Sequence, residues 1–79
     1  MNFNNINKIL KAIETKADSI GYDIDNNRDY KEAITIVVDV EMDNRSIKKG
    51  EMIRLTPRIA QLLRKLEISD IELIELLIA

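Results

Sequence analysis

A chain of 79 residues with no cysteine and no histidine has few ways to hold itself together. Disulfides are excluded, and so are thiolate zinc sites and the commonest transition-metal ligand. A domain of this length buries only ~60–65% of the surface its unfolded chain exposes, so its stability is marginal. An efficiently filled apolar core, or a partner, has to serve as stabiliser. The composition can supply the core. Hydrophobic residues make up 46% of the chain and charged residues 33%, the balance of a folded domain and not of a disordered one. The expectation is a single domain over residues 1–79.

Phe3, Ile6, Leu10, Ile13, Ala17 and Ile20 are spaced alternately three and four apart. With Ile9 they cover a ~120° stripe, the buried face of one helix. This predicts a helix from about Asn4 to Ile20, capped by Asn2, Asn4 or Asn5 and ended by Gly21 in the left-handed conformation. Tyr22 to Asp25 alternates and reads as a short strand, and Asn26 to Asp29 as a turn. Ala33 to Met42 reads as the main strand. Ile34, Ile36, Val38, Val40 and Met42 fall on one face, and Thr35, Val37, Asp39 and Glu41 on the other. A turn at Asp43 to Ser46 and a loop at Ile47 to Gly50 lead to Glu51–Leu55 as the returning strand.

Thr56-Pro57 reads as the start of a second helix, with Thr as cap and Pro at the first helical position. Ile59, Leu62, Leu63 and Leu66 mark its buried stripe. Ser69-Asp70-Ile71-Glu72 has the form of a capping box. It ends the second helix near Glu67 and opens a third that runs on to Ala79. The expected fold is α+β in the order α-β-β-β-α-α. A small two- to three-stranded antiparallel sheet carries an N-terminal helix and two C-terminal helices. Ile34, Ile36, Val38 and Val40 of the sheet pack on Ile6, Leu10, Ile13 and Ala17. On that reading Val38 is core, and an aspartate there unfolds the domain.

Groups that could carry chemistry are sparse. Asp23, Asp25, Asn27 and Asp29 alternate as in a calcium loop, but Arg28 and Ile34 stand where glycine and a bidentate glutamate are required. Asp39 and Glu41 are close in sequence, yet a charge-rich wet face does not raise a carboxyl pKa. The glycines, Gly21 and Gly50, belong to no phosphate-binding spacing. No enzymatic activity, cofactor or metal is expected.

Leu62 to Leu73 resembles the middle of a DNA-binding helix-turn-helix in the spacing of Leu66, Ile68, Ser69 and Leu73. The resemblance implies two helices joined by a tight turn, with the second entering the major groove. The chain departs from that family at Leu63, where a small residue is usual, and at Glu67, where glycine is usual. The second helix carries Asp70, Glu72 and Glu75, which phosphate repels. We therefore keep the helical turn and not the DNA-reading role.

Two surfaces remain. Arg58, Arg64 and Lys65 on the second helix, with Arg45, Lys48 and Lys49 in the loop before it, offer a face for an anion or an acidic partner. A net charge of −2 argues against nucleic acid as a bulk partner. The larger signal is the third helix. Ile71, Leu73, Ile74, Leu76, Leu77 and Ile78 spread over ~220°, about twice the stripe that a surface helix buries. The expectation is a small regulatory protein acting by protein–protein contact through this helix, as a homo-oligomer with a dimer favoured. A phage or mobile-element accessory inhibitor of a host enzyme would suit it. The alternatives are a nucleic-acid-binding module using the basic face and an oligomer that sequesters a small ligand. The N-terminus lacks the apolar core of a secretory signal, and the Ile71–Ala79 run is about half the ~20 residues of a membrane span, so the location expected is cytoplasmic.

Overall fold

A computed structural model describes residues 3–79, with side chains from Asn5 onward. Asn2 and the side chains of Phe3 and Asn4, invoked above for capping and packing, lie outside the described residues. The chain forms α1 (Phe3–Ile20), a single 3₁₀ turn (Ile24–Asn26), α2 (Arg28–Met42), α3 (Lys49–Lys65) and α4 (Asp70–Ile78). The α+β expectation is overturned: the protein is all-helical, with no strand among the described residues.

The expected main strand is α2. Its buried residues are Tyr30, Ala33, Ile36, Val37 and Val40, a helical series that includes Val37 from the face predicted to be wet. Val38, predicted to be core, is 42% exposed, and Met42 is 80% exposed. The run satisfies both periods, because seven of the ten residues from Ala33 to Met42 are apolar. The decision comes from upstream. Asn27 is the N-cap, its side-chain oxygen accepting the Tyr30 N–H at 3.0 Å. Tyr30 and Ala33 then continue the three–four spacing into the run. The short strand expected at Tyr22–Asp25 is loop and 3₁₀ turn.

The expected second strand, Glu51–Leu55, lies inside α3. Leu55, Ile59 and Leu62 are its buried residues, one stripe from the supposed strand into the supposed helix. Glu51 caps the true start by accepting the Lys48 N–H at 3.0 Å. Thr56-Pro57 is therefore an interior pair. Pro57 has no N–H for the Ile53 carbonyl, so one helical bond is missing there. Nearby side chains take up the adjoining carbonyls: Thr56 Oγ1 donates to Met52 O at 2.9 Å and Arg58 Nη1 to Arg54 O at 2.8 Å.

The three turns between helices share one device. Gly21, Asn44 and Glu67 adopt φ of +71°, +49° and +54°. Each follows a helix end, and the next residue's N–H returns to a carbonyl five residues back. Those bonds are Tyr22 to Ala17 at 2.9 Å, Arg45 to Val40 at 3.2 Å and Ile68 to Leu63 at 2.8 Å. This is the Schellman closure, which satisfies carbonyls that the helix leaves orphaned. Gly21 was legible as such a position. Asn44 tolerates it, whereas Glu67 occupies it at a steric cost.

Packing follows from these boundaries. α2 lies against α3, α1 touches both, and α4 packs on α1. Ile6, Leu10, Ile13 and Ala17 from α1 meet Ile24, the α2 stripe and the α3 stripe in one cluster, closed by Leu66 and Ile68 of the last turn. No polar or charged residue is buried among the described residues. The Tyr30 ring joins this core while its hydroxyl donates to Glu14 Oε2 on α1 at 3.1 Å. Burial, with the Glu14 carboxylate alongside, pushes the Tyr30 pKa up to about 12.

The interior position of Pro57 generates a test. Pro57 is exposed, so Pro57→Ala restores a helical hydrogen bond without disturbing the core. It should raise stability by ~1–3 kcal/mol, read as a higher urea midpoint at unchanged slope. Unchanged or lower stability would mean that the helix does not run through this residue.

Candidate functional site

α4 is positioned from its first turn. The Ser69 side chain accepts the Glu72 N–H at 3.1 Å and so fixes the helix start. Glu72 then forms an ion pair with Lys16 of α1. Leu73 packs against the core, and Leu76 and Leu77 lie over α1 beside Asn7, Lys8, Lys11, Ala12 and Thr15. These contacts run antiparallel, with the start of α4 near Lys16 and its end near Lys8.

They also settle which half of the apolar arc faces inward. Glu72, Leu73 and Leu76 turn toward α1, and Leu77 stands at the border. Ile71, Ile74 and Ile78 point away, at 71%, 57% and 80% exposure. No residue of α4 is buried. The helix is thus applied to one side of the domain by half of its apolar surface, and the other half forms a stripe with three–four spacing. Between α1 and the end of α4 lies a groove of about 430 Å³. A second groove of about 380 Å³ is lined by Asn5, Lys8, Ile9 and Leu77.

The basic residues do not gather into one face. Arg45 is occupied by the turn between α2 and α3. Its Nη1 and Nη2 donate to Glu51 Oε1 and Oε2 at 2.7 and 2.9 Å, its Nε to Asp43 Oδ2 at 3.3 Å, and Nη1 also to Ser46 O at 3.1 Å. The fork moves the Arg45 pKa upward and holds Glu51 well below the carboxylate range, at about 2. Arg58 pairs with Glu32 of α2, and Arg28 adds a second contact to the same carboxylate at 3.5 Å. The hydrogen bond from Arg58 lowers the Glu32 pKa. Lys48 and Lys49 sit at the start of α3, Arg64 and Lys65 at its end. A helix of 17 residues separates the two pairs by ~24 Å. Two of the six cations therefore serve as struts between helices, and the other four form two distant pairs.

The acidic loop is likewise committed to structure. Asn26 Nδ2 donates to Asp23 Oδ2, and Asn27 Nδ2 to the Tyr22 hydroxyl at 3.1 Å, while its oxygen caps α2. No group of three acidic side chains that could hold a metal ion occurs among the described residues. No helix among them is long and apolar enough to cross a membrane. The turn before α4 is tight, with Glu67 at the left-handed position. α4 offers carboxylates and isoleucines to the outside. No family model matches the chain, and no curated protein or solved structure does so.

The Arg45–Glu51 fork predicts acid sensitivity. The Glu51 pKa falls on folding from 4.5 to about 2. Its contribution is whole above the unfolded value and is lost as pH falls through the folded one. Urea midpoints measured between about pH 5 and pH 2 should fall more steeply for the parent than for Glu51→Gln. Equal slopes would show that the fork does not support the fold.

Proposed function

We propose that this chain is a small non-enzymatic binding protein that acts by protein–protein contact, with the outer face of α4 as its contact surface. The observation that carries the reading is the stripe of Ile71, Ile74 and Ile78, three exposed isoleucines on one face of a helix that buries no residue, where the other exposed large apolar residues, Ile20, Val38, Met42 and Ile53, are spread over three helices that each bury a stripe. Leaving three β-branched apolar side chains in water on one helix face favours a partner that removes them from it. The remainder of the molecule supports a passive, regulatory role. The sequence has no histidine or cysteine, and among the described residues no acidic or basic side chain is buried; the buried Tyr30 hydroxyl is held by Glu14 and its pKa is raised to about 12, away from neutral pH. The carboxylates of Asp70 and Glu75 flank the stripe, as charge does around an apolar contact centre.

Affinity capture with the intact chain tests this. A protein retained by the parent, whether another copy or a different chain, should be lost with Ile74→Lys and kept with an Arg64→Glu/Lys65→Glu variant. Ile74 is more than half exposed, so the lysine leaves the core untouched. Retention that survives Ile74→Lys and depends on Arg64 and Lys65 would move the contact surface to the end of α3 and overturn the reading.

A further inference from the structure

We propose that the occupant of the α4 stripe is a second copy of this chain, in an antiparallel α4–α4 pairing whose two-fold axis passes close to Ile74. The inference rests on the contact reading above and names its partner. Ile71, Ile74 and Ile78 have the spacing of a short coiled-coil seam. A two-fold interface presents the same patch from both sides. With the axis at Ile74, that residue meets its own mate, and Ile71 of each copy meets the partner's Ile78. All three isoleucines are covered.

Charge selects the antiparallel arrangement. Asp70 and Leu77 lie one heptad apart on one flank of the stripe, and Glu75 lies on the other. A parallel pair would set Asp70 of each copy against the partner's Glu75, acid on acid along both edges. The antiparallel pair brings the partner's Asp70 over Leu77 instead. Leu77 shares its grooves with Lys8 and Lys11 of α1. Both lysines are exposed, and neither makes an ion pair among the described residues. The acidic start of one α4 thus reaches the lysine-bearing flank of the other copy. One unfavourable contact remains, Glu75 against the partner's Glu75 beside the axis.

Three isoleucines and part of Leu77 make a small interface, below the ~1,200 Å² of a standard one. The pairing is therefore weak and concentration-dependent. Sedimentation of the intact chain from about 5 to about 500 µM should show a mass rising from one copy toward two. Ile74→Lys and, independently, Ile78→Lys should shift the midpoint upward at least ~10-fold with helicity unchanged. Glu75→Lys mixed in equal amounts with the parent should form heterodimers beyond the half that random pairing gives, read by native mass spectrometry. One copy at every concentration overturns the inference, and so does a dimer indifferent to both isoleucine variants. Random mixing with Glu75→Lys overturns the antiparallel geometry. A clean monomer whose stripe still governs affinity capture removes the second copy as occupant and leaves the contact reading standing.

Discussion

Tyr30, Ala33, Ile36, Val37 and Val40 form the wall on which the rest of the molecule is hung. They present one stripe to α1 and α3, and the fully buried residues of those helices, Ile6, Leu10, Ile13, Leu55 and Leu62, close into one cluster with it, completed by Ile24, Leu66 and Ile68. A rotation of α2 by one residue would replace Val37 with Val38 and Ala33 with Ile34, filling with bulk a place that now holds a small side chain. Interiors are packed too tightly to absorb that change. With no cysteine to form a disulfide, the helical register of α2 is the constraint from which the other positions follow.

The turns make that register usable. Each helix before the last ends in a left-handed residue that reverses the chain within a few positions. The polar side chains nearby are spent on holding the reversals. Arg45 fastens the start of α3 to the end of α2, Arg58 reaches Glu32 across the same pair, and Lys16 fastens α4 to α1. The fold therefore uses its cations where helices meet. Arg45 and Arg58, two of the six cations read in the sequence as an anion or partner face, are therefore already engaged by carboxylates of the chain itself.

How much of this the sequence discloses depends on where the deciding residue lies. α1 is legible because its period, from Ile6 to Ala17, and its stop at Gly21 agree. The start of α4 is legible because Ser69 and Glu72 stand at capping distance. α2 is not, since Ala33 to Met42 is rich in β-branched residues and nearly apolar throughout, and alternation by two fits it as well as rotation by 100°. The signal for the helix sits outside the run, in Asn27 and Tyr30. α3 is obscured by Gly50 and by Thr56-Pro57, punctuation that elsewhere marks a boundary and here is tolerated inside a long helix on its exposed side. On α4, the width of the apolar arc is visible in the sequence. Which half of it faces out is not, because that is decided by Lys16, Ala12 and the α1 surface beneath.

The helical register of α2 is reported directly by two adjacent valines. Val37 is 3% exposed and Val38 is 42% exposed, the reverse of what a strand with Val38 inward would give. Val37→Asp buries a charge without a partner and should cost several kcal/mol, enough to abolish the cooperative melt of a domain with ~5 kcal/mol to lose. Val38→Asp should keep a cooperative melt followed by circular dichroism at 222 nm, displaced by about 1 kcal/mol or less. The opposite ranking, with Val38→Asp unfolded and Val37→Asp tolerated, would contradict the helical wall and the account built on it.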